Sequence, residues 1–490
     1  MTTSTPLVTE TGIKLLPDHR RVIARLFVPG REDTGAGDSR AVQVIDRLLH
    51  LDEADVDAAM RDIDERFCGR HRDLHAMFRA HAAVVTSRID SEAHLSTTRQ
   101  LLIGAAFTHE YTIEGASICN PSAVLHSVQD MSGDATFIMS VRGIGEGHRS
   151  SIGFRTGAVS AQGAVTLDAP GPFAEVGAPM PGLHHRGVLH ARLGDLHDDH
   201  ENAAFVLDPL PERFESSDLD ARLDELEAEA ATRRETAITI THLRELAESS
   251  YRVAFDPSIP ISERVLWPHS PAARRGMEDA RFVRFIDDDG DVTYFGTYTA
   301  YDGRNIEQHL LTTIDFADFA VNPMAGPAAI GKGLALFPRR INGRYAALSR
   351  SDRESNGVAF SDDLHCWPVA ETIQSPTRSW EILQLGNCGS PIETAAGWLV
   401  LTHGVGPMRT YSLGALLLDL DHPEHVLART DEPILSPGVD RNAGYVPNVI
   451  YSCGGFTHGD TLVLPYAIGD QSISIATISI RALLASMNTI

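Results

Sequence analysis

What most constrains this chain is a unit that recurs after residue 280: a strand, a polar turn, a second strand and, in most copies, an acidic turn. Val292 to Tyr298 (VTYFGTY) is followed by His309 to Thr313 (HLLTT), and Arg344 to Arg350 (RYAALSR) by Gly357 to Phe360. Gly397 to Thr402 (GWLVLT) is followed by Tyr411 to Leu420, and Thr461 to Tyr466 (TLVLPY) by Ser472 to Ile478. Successive first strands lie roughly 50 to 65 residues apart, close to the length of a four-stranded propeller blade. Phe137 to Arg142 (FIMSVR) with Ser150 to Thr156 (SSIGFRT) supplies a further unit, which makes about five. A β-sandwich also has many short strands, but not a repeat of this length with the same internal order. The expected fold is mainly β: a five-bladed β-propeller over residues 111–490.

Two regions fall outside the repeat. Residues 1–110 read as an N-terminal helical region. Val22, Ile23, Leu26 and Phe27 recur at helix spacing, as do Val42, Ile45, Leu48 and Leu49. Asp52 to Phe67 is amphipathic, with Val56, Met60, Ile63 and Phe67 on one face, and 74–85 and 95–107 continue the series. These stripes suit packing, or contact with a second copy in a homo-oligomer, more than chemistry. Residues 158–215, rich in Gly, Pro and His, read as long loops broken by Pro170, Pro172, Pro179 and Pro181. Residues 216–250 are charged and helical, with Ser217 expected as N-cap by residue type, and interrupt the β region as an insertion.

The net charge of −24 argues against nucleic acid or an anionic membrane as the main partner. The five cysteines (Cys68, Cys119, Cys366, Cys388 and Cys453) are scattered, with no CxxC and no Cys/His metal spacing. They read as reduced thiols of a cytoplasmic protein. The segment MTTSTPLVTETGIKLL lacks a basic start followed by an apolar run, so no signal peptide is expected, and no apolar stretch approaches bilayer length. The 22 histidines form no HExxH pair. No metal or cofactor is expected.

The stretch richest in chemistry is Arg274 to Phe285, RRGMEDARFVRF. A turn at Gly276 presents Glu278 and Asp279 at the mouth of a strand, among Arg274, Arg275, Arg281 and Arg284. A carboxylate pair ringed by guanidinium groups suits a site that holds a polar or anionic substrate while one carboxyl moves a proton. A salt-bridged surface turn would use the same residues. A propeller gathers polar residues from its inner strands at the axis. Asn120, Arg142, Asp279, Arg304, Lys332, Asp352, His403 and Asp470 all lie at or beside blade strands, so radial symmetry would let them converge.

Over residues 110–480 the chain resembles glycoside hydrolase family 130, the β-mannoside phosphorylases and related mannosidases. The resemblance rests on segments in family order: CNPSAVLH at Cys119, SVRGIGEGHRSS at Ser140, GMEDARF, GTYTAYDGRN at Gly296, GKGLALFPRRINGRY at Gly331, SDDLHCW, GWLVLTHGV at Gly397 and YSLGALLLDLDHP at Tyr411. Three features depart from it. The family's Pro after the Asp is Ala280, the usual ending reads YAIGD with Asp470 retained, and FRTG replaces Ser-x-Asp-Gly after the first blade. The resemblance implies Asp279 as general acid. It implies phosphate held by Arg304, Asn305, Lys332 and His403, and a β-mannoside oligosaccharide at Asn120, Arg142 and Asp470. Asp352 is a further candidate for a sugar hydroxyl.

The chemistry is consistent with this. Inverting cleavage needs an acid on one face of the sugar and a nucleophile on the other. Phosphate is already anionic, so a phosphorylase needs cations and donors to place it rather than a second carboxylate to activate it. A hydrolase needs that second carboxylate. Arg304 and Lys332 favour phosphorolysis, with inorganic phosphate as co-substrate and no other cofactor. An inverting mannoside hydrolase, an arabinanase-like propeller with a carboxylate triad and a non-catalytic glycan-binding propeller are the alternatives. The order of motifs does not match the arabinanase-like case.

Overall fold

The structure is a computed structural model that describes residues 7–29, 40–86, 95–127, 129, 133–198, 200–439 and 442–490. Residues 1–6, the start of the segment read for a signal peptide, lie outside them.

The protein is mainly β, and the recurring units are antiparallel meanders. The first runs through Ser117–Leu125, Ala135–Ile144, Ser150–Val159 and Val165–Leu167. The second comprises Gly276–Ile286, Val292–Tyr301, Ile306–Thr313 and Asp318–Pro323. The third comprises Ala335–Leu336, Tyr345–Ser349, Asn356–Ser361 and Glu371–Gln374. In the fourth, Gln384–Asn387 and Ile392–Thr394 both pair with Gly397–Gly406, followed by Thr410–Leu418 and Val426–Arg429. In the fifth, Ile450–Tyr451 and Phe456–His458 pair with Thr461–Ile468, followed by Ser472–Ser479.

Each meander is apolar on both faces, and each face meets a different neighbour. Val400 alternates with Leu399 and Leu401 along one strand. Trp398 and Val400 pack with Ala346, Leu348 and Val358 of the third meander. Leu399 and Leu401 pack with Leu462, Leu464 and Tyr466 of the fifth. This two-sided burial explains why GWLVLT reads as an unbroken apolar run rather than an alternation. The same pattern links the second meander to the third through Phe285, Leu310, Leu336 and Ala347. It links the fifth to the first through Val463, Ile473, Phe137 and Met139, and the first to the second through Phe154, Ile138, Phe282 and Tyr298.

The N-terminal expectation needs correction. Val8–Leu15 is a strand, and it pairs antiparallel with Ser472–Ser479 as the outer strand of the fifth meander. Val22–Leu26, read as helical, is a strand paired with Thr108–Thr112. Short apolar runs fit either period, and both partners lie far away in sequence, so tertiary pairing decides. The helical expectation stands for α1 (Arg40–Leu49), α2 (Glu53–Phe67), α3 (Leu74–Thr86) and α4 (Thr97–Ala106). They belong to a separate compact unit, 18–115 with 171–175. Their stripes fill two cores of that unit, one around Ile45, Ile103 and Phe107, the other around Val56, Met60 and Phe78.

The insertion is also larger than 216–250. Four helices, α5 (Arg186–Asp195), α6 (Glu201–Leu207), α7 (Ser216–Ala228) and α8 (Thr236–Ala247), share one core around Leu193, Val206, Leu223 and Leu243. The Gly, Pro and His content of 158–215 hid α5 and α6, whose apolar residues (Val188, Leu189, Leu193; Ala203, Val206, Leu207) do keep helical spacing. No described helix is long and apolar enough to cross a membrane. All five cysteines are unpaired.

Candidate active site

The site grows from irregular backbone. Asn120, Asp279 and Asp470 have φ of 46°, 56° and 46°, the left-handed region that Asn and Asp enter most readily after glycine. Asn120 sits where the pairing register shifts between Cys119 and Ser122. Asp279 sits where it shifts between Glu278 and Arg281, and Asp470 lies in the turn between Thr461–Ile468 and Ser472–Ser479. In a regular strand Glu278 and Asp279 would point to opposite faces. The bulge turns both carboxylates onto one guanidinium.

That guanidinium is Arg142. Its Nη1 donates to Asp279 Oδ1 at 3.0 Å, its Nη2 to Glu278 Oε1 at 2.6 Å and its Nε to Ser150 Oγ at 3.0 Å. Asn120 Nδ2 donates to Asp279 Oδ1 at 2.5 Å. Lys332 Nζ donates to Glu278 Oε2 at 2.8 Å. Arg281 Nη1 donates to the Asp279 carbonyl at 3.1 Å, and its Nη2 to the Tyr451 hydroxyl at 2.9 Å. The Tyr451 ring lies edge-on to His403, with centroids 4.9 Å apart. Arg350 Nη1 donates to His403 Nε2 at 3.1 Å, while the other ring nitrogen, Nδ1, lies 3.1 Å from the Asn387 carbonyl. Gly386 makes room for this last pair: a Cβ there would come within 2.6 Å of the His403 ring and 2.8 Å of Arg350. Side chains from all five meanders, or from loops beside them, therefore form one connected cluster.

The cluster is buried and its charges are polarised. Burial alone would raise the proton affinity of Asp279, but Arg142, then Lys332 and Arg281, outweigh it and hold the carboxyl well below the usual range. Asp470 behaves oppositely. Burial pushes it up to about 6, against the pull of Arg142 and with a push from Asp279. Burial, with Arg350 and Arg281 beside it, keeps His403 well below the ordinary histidine range and so neutral. The Cys119, Cys388 and Cys453 thiols and the Tyr451 phenol are all pushed up by burial and stay protonated.

The sequence-expected residues fare differently. Asn120, Arg142, Asp279 and Lys332 join directly or through Glu278. Asp470 feels the charges of Arg142, Asp279 and Glu278, and its backbone carbonyl accepts from Ser117 Oγ. His403 reaches the cluster through Tyr451 and offers its Nε2 to Arg350. Arg304 and Asn305 are exposed on the turn between Val292–Tyr301 and Ile306–Thr313, where Asp302 Oδ1 accepts from both backbone N–H groups at 2.6 and 2.7 Å. Pairing Glu278 with Thr299 and Tyr301 with Ile306 puts this turn at the same end of the sheet as the bulge. Arg304 has no ion-pair partner among the described residues. Asp352 is turned to its own loop, accepting from the Glu354 and Ser355 N–H groups at 3.0 and 2.9 Å. Sequence reasoning missed Arg350 and Tyr451 and left Glu278 and Arg281 without a role. GMEDARF marks the latter two, but nothing local marks the former.

Among the described residues no group of three His, Cys, Asp or Glu is disposed to hold a metal ion. A family model described as β-1,4-mannooligosaccharide phosphorylase matches residues 248–489. That span contains Asp279, Lys332, His403 and Asp470, while Asn120 and Arg142 precede it. The chain is 35% identical over 212 residues to a 1,2-β-oligomannan phosphorylase of Thermoanaerobacter sp. (strain X514), covering 42% of this chain and 69% of that protein. It is 34% identical over 219 residues to a β-1,2-mannobiose phosphorylase of the same strain, covering 44% and 70%. A β-1,2-mannobiose phosphorylase of Listeria innocua serovar 6a is 32% identical over 226 residues, covering 45% and 62%.

Proposed function

This chain belongs to glycoside hydrolase family 130, and from that premise we propose that it cleaves β-mannosides by inverting phosphorolysis, releasing α-mannose 1-phosphate. The observation that carries the reading is the connected chain Asn120–Asp279–Arg142–Glu278–Lys332, a buried acid joined to a part-buried cation track. Asp279 is the general acid for the departing oxygen, directly or through a mannose hydroxyl. Asn120, Arg142 and Asp470 hold the mannose. Lys332 and the Arg304–Asn305 turn receive phosphate, with His403 acting through Arg350. Asp352 stays a sugar contact only if its loop turns inward.

An acid must carry its proton at the moment of attack. In the free enzyme the surrounding cations oppose this. Phosphate brought against Lys332 supplies compensating negative charge, and a mannose hydroxyl takes over hydrogen bonds from Asn120 and Arg142. Both changes raise the proton affinity of Asp279. Phosphate then attacks the anomeric carbon from the opposite face, the glycosidic bond breaks, and the departing oxygen takes the proton.

The fold of the catalytic region is, in this reading, a five-bladed propeller of residues 111–490 closed by the strand Val8–Leu15. Support comes from the cores, which link each meander to the next and the fifth back to the first. The unpaired state of all five thiols supports a cytoplasmic location.

One observation favours a hydrolase instead. Asp470, raised to about 6, has the proton affinity of a general base near neutral pH. Incubation with β-1,2- and β-1,4-mannobiose, with and without phosphate, decides. Phosphorolysis predicts mannose 1-phosphate and no turnover without phosphate. Free mannose released at full rate in phosphate-free buffer would assign the enzyme to hydrolysis.

A further inference from the structure

Glu278 has both carboxylate oxygens engaged by cations, Arg142 at 2.6 Å and Lys332 at 2.8 Å, and its side chain is only 12% exposed. Arg142 is shared, and its contact with Glu278 is shorter than its 3.0 Å contact with Asp279. The sharing exists only because Asp279 adopts φ 56° inside a bulge. A left-handed non-glycine residue costs about 1 kcal/mol. A regular strand would avoid that cost and would also separate the two carboxylates.

We infer that Glu278 is a positioning residue that keeps Asp279 able to take up a proton: it draws Arg142 and Lys332 onto its own oxygens and places a second negative charge beside the acid. The inference rests on Asp279 being the acid, and it holds whether the nucleophile is phosphate or water. Two neighbouring carboxyls with divided roles are a general way to run acid chemistry near neutral pH, one bearing charge and the other the proton.

The groups facing Asp279 come from every meander. Asn120 and Cys119 lie on one strand of the first meander and Arg142 on the next. Arg281 lies on its own strand, and Lys332 just before the third meander. His403 comes from the fourth, and Tyr451, Cys453 and Asp470 from the fifth, with Cys388 beside Arg281. The thiols and phenol stay protonated, His403 stays neutral and the arginines stay charged. Burial raises Asp470 to about 6, so its own titration falls on the acid side of neutrality. In saturating phosphate, whose charge at Lys332 raises the proton affinity of Asp279, the alkaline limb of kcat/KM for the mannoside reports loss of the Asp279 proton.

The test is the pH profile of kcat/KM for a β-mannobiose from pH 5 to 9, in saturating phosphate, for wild type, Glu278→Gln and Glu278→Asp. Glu278→Gln removes the neighbouring negative charge and frees both cations for Asp279. Its alkaline limb should move to lower pH by roughly one unit, a tenfold loss of the acid form on the limb. Glu278→Asp keeps the charge, so its limb should stay within a few tenths of a unit even where the rate falls. A Glu278→Gln limb that coincides with wild type, with rate simply lost, overturns the inference. Should that variant not fold, a displaced Glu278→Asp limb overturns it as well. A wild type indifferent to phosphate would end the phosphorylase reading while leaving these limbs to judge Glu278.

Discussion

Replacing Lys332 by Ala removes the one lysine in the cluster, and its effect can be sized from the geometry. The ammonium donates to Glu278 at 2.8 Å, and its side chain is 33% exposed. A charge-assisted hydrogen bond of the same kind from Lys332 to a bound phosphate would contribute about 1.5–3 kcal/mol. Partial exposure and screening favour the lower end. About 1.5 kcal/mol corresponds to roughly a tenfold rise in the phosphate KM. The mannoside KM should move by less than about threefold, because the proposed mannose contacts are Asn120, Arg142 and Asp470. A second readout has a definite sign. Lys332 lowers the proton affinity of Asp279, second only to Arg142 among the charges. Without it that affinity rises, so the alkaline limb of kcat/KM moves to higher pH, opposite to the shift for Glu278→Gln. The assay is initial-rate formation of mannose 1-phosphate, varying each substrate at saturating levels of the other. Equal rises in both KM values, or a limb that moves down, would refute the placement of phosphate at Lys332.

Asp279→Asn should lower kcat by at least about 10²-fold, the loss typical of an acid catalyst, while mannobiose binding by calorimetry survives; near-normal turnover removes Asp279 from the chemistry. Asp470→Asn should stabilise the protein only at higher pH. Because its folded pKa, about 6, exceeds the unfolded one, its ionised form opposes folding, and stability is lost as pH rises through 6. Denaturant unfolding should show a gain of about 3 kcal/mol at pH 8 and little at pH 4; equal gains at both would contradict the burial argument. Deleting residues 1–16 strips the outer strand of the fifth meander and exposes the edge of Ser472–Ser479, together with the cores that Leu7, Val8, Ile13 and Leu15 help cover. Light scattering should show aggregation, and unfolding a loss of roughly 3 kcal/mol or more; a truncated protein that stays monodisperse and equally stable would show that strand to be dispensable.

The recurring strands were legible because each is buried on both faces, so GWLVLT and TLVLPY stand out as apolar runs whatever their neighbours are. What stayed hidden was pairing at long range. Nothing in VTETGIKL says that its partner lies more than 450 residues later, and its burial pattern alternates too weakly to separate strand from helix. Val22–Leu26 failed for the same reason. In 186–207 a composition rich in loop-forming residues masks a helical spacing that is present.

The site was legible where residue type and backbone demand coincide. Asn120, Asp279 and Asp470 occupy left-handed positions, and Asn and Asp are the side chains that tolerate them best. The same three residues therefore satisfy a strained backbone and point polar groups into one cluster. Strain of this kind persists only where surrounding structure holds it. Here Arg281 does so for Asp279, donating to its carbonyl while Tyr451 fixes the guanidinium. Sequence spacing cannot disclose a bulge, because it treats Glu278 and Asp279 as pointing to opposite faces. Once the register shift is known, the pair becomes a shared charge system. Arg142, Lys332 and Arg281 then act as the groups that set when Asp279 can hold a proton, rather than as surface partners for acids.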